Sequence, residues 1–170
     1  MIVVDASALV EVLLRTPAAA AIRDRLLSTE QTLHAPHLID IEVAQVLRRY
    51  AASDRVEPGR CRDALDDLFD SPLDRYPHDL LLRRVWELRH NLTAYDAVYV
   101  ALAEVLEARL LTRDRRIAAT GWASCNSRAC VTPVENQNSS TITGWPFRRH
   151  SPATGPRRRR QQARAVGAIA

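Results

Sequence analysis

Along this chain, short apolar runs alternate with longer segments in which apolar residues recur at helical spacing. Ile2-Val3-Val4 has no polar alternation and predicts a central strand buried on both faces. Asp5-Ala6-Ser7 supplies a turn and a helix cap, followed by a helix from Ala8 to Leu14. Pro17 starts a second, alanine-rich helix that runs to about Ser28. Thr32-Leu33-His34-Ala35 reads as a strand closed by Pro36. His37 to Ala52 then forms an amphipathic helix with Leu38, Ile41, Val46 and Leu47 as its apolar positions. Glu57-Pro58 opens a helix ending near Asp70, where Ser71-Pro72 breaks it. Leu73 to Tyr76 is a third strand, Asp79 to Arg89 a helix, Ala94 to Ala108 the strongest helical pattern of the chain, and Arg109 to Thr112 the strand after it. Strands separated by helices in this order predict an α/β fold of three layers, a short parallel sheet flanked by helices on both faces.

Around Gly121 the pattern ends. Ala129 to Val134 can supply one last strand, but residues 135–164 are rich in Asn, Ser, Thr, Pro and Arg and show no hydrophobic period. Such a segment cannot bury enough apolar area to offset the entropy of ordering, so disorder is expected there. The chain therefore divides into a globular unit over 1–134 and a C-terminal segment over 135–170.

Charge follows the same division. Residues 1–120 hold 16 arginines against 19 acids, whereas residues 121–170 hold 8 arginines against one glutamate. A mildly acidic unit precedes a basic tail, whose Arg157-Arg158-Arg159-Arg160 run is read foremost as a solvated segment. No apolar stretch is long enough to span a membrane, and Met1 to Asp5 lacks the features of a signal peptide; no membrane partner is expected, and the cytoplasm is the expected compartment. The three cysteines, Cys61, Cys125 and Cys130, have no C-x-x-C spacing, and the histidines have no H-x-x-x-H pairing. A disulfide framework and a zinc site are both disfavoured, which leaves oxygen as the ligand type for any metal.

The candidate chemistry lies in four acids: Asp5, Glu42, Asp96 and Asp114. Taken singly, Asp5 and Asp114 read as helix caps, the latter of a short helix over Arg115 to Ala119. Asp96 suits a helix first turn, and Glu42 a solvated helix face. Their register changes this picture. Asp96 shares a helix face with Val100 and Ala103, the stripe that should meet the sheet, and Glu42 borders an apolar stripe. Asp40 points roughly 200° from Glu42 and is the better candidate for a solvated acid. Asp5 and Asp114 stand at the carboxyl ends of predicted parallel strands, the edge where open α/β sheets bind ligands. Ser7 and Thr112 flank that edge and can hydrogen-bond a carboxylate. Clustered carboxylates repel one another and require a counter-charge; the chain contains no lysine, so a divalent cation is the natural partner. The missing lysine also excludes a response-regulator receiver and a haloacid-dehalogenase-like phosphatase. The latter also needs Asp-x-Asp, where this chain has Ser7.

With these residues in place, the chain resembles the PIN-domain ribonucleases, and specifically the VapC toxins of bacterial toxin–antitoxin modules. The resemblance rests on Ile2 to Leu9, Ile41-Glu42-Val43, Thr93 to Ala103 and Leu110 to Arg116, and covers about residues 1–120. It implies endonucleolytic cleavage of RNA with Mg²⁺ or Mn²⁺, usually by a homodimer, silenced by a cognate VapB antitoxin. On this reading Asp5 and Asp96 anchor the metal, Glu42 and Asp114 complete the catalytic set, and Ser7 and Thr112 support it. Arg113, Arg115 and Arg116 are candidates for contacts to RNA phosphates. The competing expectation is a non-catalytic PIN-fold module that binds RNA or a protein partner through its apolar helix faces. The departure from the family is the arginine-rich segment after Gly121.

Overall fold

The computed structural model describes residues 1–27, 31–114, 117 and 131–133. Five short strands form one parallel sheet: β1 (Ile2–Val4), β2 (Leu33–Pro36), β3 (Leu73–Tyr76), β4 (Arg109–Thr112) and β5 (Val131–Pro133), in the order β3-β2-β1-β4-β5. The helices are α1 (Ala6–Leu14), α2 (Ala19–Leu27), α3 (Leu38–Ala52), α4 (Pro58–Phe69), α5 (Leu82–Glu87) and α6 (Ala94–Val105).

Right-handed crossovers place these helices in two layers. The connections β1–α1–α2–β2 and β2–α3–α4–β3 step the same way along the sheet, so α1 to α4 cover one face, where α1 packs on α2, α3 and α4. The connection from β3 through α5 and α6 to β4 runs back past β1, so this pair covers the other face, with α6 lying across β1, β2 and β4. Covered on both sides, β1 is buried throughout, and Val3, Val4 and Leu110 are wholly inaccessible. The strand order reverses at β1: its chain continues to β2 on one side while β4 lies on the other. In open α/β sheets the crevice at such a reversal, outside the carboxyl ends of the strands, is where ligands bind.

The expected parallel three-layer α/β architecture is the one found. Within it, several local expectations change. The first helix begins at Ala6, because Asp5 is its N-cap. The helix expected over Asp79 to Arg89 is a 3₁₀ turn, a short α5 and a second 3₁₀ turn. Ile41 does not join the core: α3 buries Ile39, Val43 and Leu47, and Ile41 is 69% exposed. Asp40, expected to be solvated, receives the Arg75 guanidinium, whose Nε lies 2.9 Å from both its oxygens. The remaining Arg75 nitrogens donate to the carbonyls of Leu73 and Leu68, which fastens α3 to β3 and the end of α4. Apart from Ile117, the expected helix over Arg115 to Ala119 lies outside the described residues, as does the segment 135–170.

Candidate active site

Asp5 follows β1 in an extended backbone and caps α1, accepting the Ser7 amide at 3.4 Å on Oδ1. Its Oδ2 accepts two hydroxyls, Ser7 Oγ at 2.7 Å and Thr112 Oγ1 at 2.5 Å. Thr112 is the last residue of β4, so the β1–β4 pairing itself brings its hydroxyl onto the Asp5 carboxylate. Thr112 Oγ1 also accepts the Asp114 amide at 2.9 Å, and Ser7 Oγ accepts the Arg113 amide at 3.0 Å. The carboxyl ends of the two central strands are thus laced together through three oxygen atoms, with Asp114 attached by its main chain.

Asp96 enters from α6. Thr93 is the N-cap of that helix: its hydroxyl oxygen accepts the Asp96 amide at 3.2 Å while its O–H donates to Asp96 Oδ2 at 2.7 Å. Glu42 enters from α3, and its Oε2 accepts the hydroxyl of Tyr99, which is 1% exposed. The remaining oxygens, Glu42 Oε1 and Asp96 Oδ1, have no hydrogen-bond partner among the described residues.

Electrostatics shows that the three acids share one environment. Burial pushes the Asp5 carboxyl up from its ordinary value; the Ser7 and Thr112 hydroxyls and the Ser7 amide pull the other way, and the Asp96 charge adds to the rise. Burial likewise pushes Glu42 up, opposed by the Tyr99 hydroxyl and reinforced by the charges of Asp5 and Asp96. Tyr99 is raised in turn, by burial first and by the Glu42 carboxylate second. Ion pairs link Arg15 to Asp67, His34 to Asp74, Arg75 to Asp40, Arg84 to Glu87 and Glu104, and Arg113 to Glu11, and none of these reaches Asp5, Glu42 or Asp96.

This environment fits a hard divalent cation. The donors are all oxygens, burial and the Asp96 charge push two of the three carboxyls up, and no guanidinium among the described residues is paired with them. Among the described residues no three acidic, histidine or cysteine side chains are already grouped at metal-holding distance. The carboxylates are instead turned to hydroxyl donors, so closing on an ion takes side-chain rotation about anchored backbones.

Of the residues singled out from sequence, Asp5, Ser7 and Thr112 are in direct contact, Glu42 and Asp96 face Asp5 electrostatically, and Asp114 joins through its amide. Arg113 is engaged: its guanidinium pairs with Glu11 of α1, which also accepts the Thr16 hydroxyl. Arg115 and Arg116 lie outside the described residues. Three participants escaped the sequence reading, namely Tyr99, Thr93 and Glu11. A threonine three residues ahead of an acid at a helix start is a legible capping signal. Tyr99 carried none, since it lies inside the apolar stripe of α6 like any core residue.

Comparison with known proteins identifies the family. The PIN domain family matches residues 2–123. The ribonuclease VapC9 of Mycobacterium tuberculosis is 47% identical over 125 residues, spanning 74% of this chain and 94% of that protein. The ribonuclease VapC1 of the same species is 46% identical over 124 residues, spanning 72% and 92%. Among solved structures, PAE2754 from Pyrobaculum aerophilum superposes with a TM-score of 0.55 at 26% identity, covering 76% of this chain and 82% of that one. The VapBC2 structure from Rickettsia felis, bound to a DNA fragment from its promoter, shares the fold with a TM-score of 0.56 at 14% identity, covering 79% of this chain and 100% of that one.

Proposed function

The chain belongs to the PIN-domain family, in its VapC ribonuclease branch, and we propose that it cuts RNA at the acidic crevice between β1 and β4. It is an endoribonuclease, the toxin of a VapBC system. The finer assignment is that Asp5 and Asp96 anchor Mg²⁺ or Mn²⁺ and that Glu42 and Asp114 complete the catalytic set. The observation that carries it is that burial raises Asp5 and Glu42, that the Asp96 charge adds to the rise of both, and that none of the ion pairs described above reaches the three acids.

A bound divalent cation supplies charge stabilisation at the phosphoryl oxygen and lowers the pKa of the attacking water. The protein residues supply position. Ser7 and Thr112 hold the Asp5 carboxylate through Oδ2, and the Ser7 amide reaches Oδ1. Thr93 fixes Asp96 at the first turn of α6, and Tyr99 fixes Glu42. Glu42 and Asp96 thus each keep one oxygen tied to a hydroxyl and one without a hydrogen-bond partner among the described residues, an arrangement that limits the ordering cost of assembling the site. Arg113, paired with Glu11, would meet an RNA phosphate by exchanging one anion for another.

A VapB-type antitoxin is the proposed protein partner, and a homodimer the proposed assembly. Leu82 and Trp86, one turn apart on α5 and 57% and 69% exposed, offer apolar surface of the kind that dimers bury. The catalytic assignment is tested by sequencing the 5′ ends of cellular RNA after brief induction, beside the Asp96→Asn variant, with chelator controls in vitro. New ends that vanish in the variant and with EDTA support it. Cleavage that persists in either condition refutes it.

A further inference from the structure

The carboxyl edge of the sheet continues past the acids. Pro36 of β2 is in register with Tyr76 of β3, and the His37 amide donates to the Tyr76 carbonyl at 2.9 Å. His37 therefore follows directly on the end of β2, and His78 follows the end of β3 after Pro77. Their rings face each other with centroids 6.3 Å apart and planes inclined by 56°. His37 is exposed and His78 half-buried, and neither ring makes a hydrogen bond to another described residue. Ile41, one helical turn beyond His37 on the same side of α3, is 69% exposed where an amphipathic helix would bury it.

Strand spacing fixes how this pair relates to the acids. The order β3-β2-β1 places the end of β2 one step from Asp5 and the end of β3 two steps away, about 5 and about 10 Å along the edge. One or two nucleotides span that distance. A strand of RNA with its scissile phosphate at Asp5 can then run across the edge and lay its adjacent bases over His37 and His78.

Charge cannot hold those bases. The acids repel the backbone, Arg75 of β3 is committed to Asp40, and Arg113 follows β4, on the far side of β1 from the two histidines. Stacking can. Imidazole faces accept unstacked bases, ring nitrogens reach base edges, and an exposed Ile41 widens the apolar floor. We propose that His37 and His78, with Ile41 beside them, form a base-stacking subsite that holds single-stranded RNA next to the cleavage point and sets the preference for the flanking base. This rests on the cleavage site lying at Asp5, Glu42, Asp96 and Asp114.

The test uses the full chain and a fluorescein-labelled pool of random-sequence single-stranded RNA. Binding is measured by anisotropy in EDTA, and cut positions are mapped by 5′-end sequencing with Mg²⁺ or Mn²⁺. His37→Ala and His78→Ala should each weaken binding by about fivefold or more and flatten the base preference beside the cut, with melting temperatures unchanged. His37→Phe and His78→Phe retain a stacking face and should recover most of the binding. Wild-type affinity and base preference in both alanine variants would overturn the subsite while leaving the catalytic reading intact. Wild-type protein that neither binds nor cuts the pool would overturn both.

Discussion

Tyr99, buried in the second turn of α6, donates its hydroxyl to Glu42 in the second turn of α3, joining helices from opposite layers at the edge of the sheet. The bond leaves Glu42 one free oxygen and a fixed direction. Removing the hydroxyl in Tyr99→Phe should cost about 1–2 kcal/mol of stability, since a half-buried carboxylate loses its donor. Cleavage and Mn²⁺ affinity should both fall. In a Glu42→Gln background the same change should matter little, because residues acting through one another are not additive. Denaturant midpoints and Mn²⁺ titration of the four proteins check this.

Asp96→Asn should abolish cleavage without harming the fold. The amide keeps a hydrogen bond with Thr93 and removes one of three mutually repelling charges. Its melting temperature in EDTA should equal or exceed the wild-type value, as expected where function holds like charges together. A large drop in melting temperature would instead give Asp96 a structural role.

Divalent metal should stabilise the wild-type protein and not the Asp5→Asn variant. A ligand that binds only the folded state at a hundred times its dissociation constant adds about 2.7 kcal/mol. Thermal melts with Mg²⁺, Mn²⁺ or EDTA measure the increment directly. An equal increment in Asp5→Asn would place the ion elsewhere.

In the presence of chelator, the acids should make stability rise as pH falls. Asp5 and Glu42 bind protons more readily in the folded than in the unfolded chain, raised by burial first and by the neighbouring Asp96 charge. Their contribution is complete below the unfolded values, near about pH 4, and is lost as pH rises through the folded values. Glu42→Gln should reduce this slope in urea titrations made across the acid range.

His34 should act in the opposite sense. It is buried in β2, with Nε2 2.7 Å from Thr32 Oγ1 and Nδ1 3.0 Å from Tyr76 Oη. Burial lowers its proton affinity more than the nearby Asp74 restores it. Stability from the neutral ring is present above about pH 6.5 and lost as pH falls through the depressed folded value. His34→Gln should lower stability at pH 8 and flatten its decline below about pH 6.5.

The layered fold was legible because burial on both faces leaves an unbroken apolar run at Ile2-Val3-Val4, and burial on one face leaves helical spacing in the segments between strands. The same logic located Asp5 and Thr112, whose places at strand ends follow from where the apolar runs stop. It failed at Ile41, because helical spacing identifies an apolar position without showing that a neighbour covers it. At Asp40 it failed for the related reason that an acid off the core stripe can still meet Arg75 from another strand.

What the sequence determined by itself is local: the order of elements, their approximate ends, and which side chains lie at the carboxyl edge. Each of these depends on residues a few positions apart. Tertiary structure decided the partnerships, Thr112 with Asp5 across 107 positions and Tyr99 with Glu42 across 57. It also decided that His37 and His78 meet. Periodicity records how much of a residue is covered and carries no information on which distant group does the covering, so these contacts exist only once the strands have found their order.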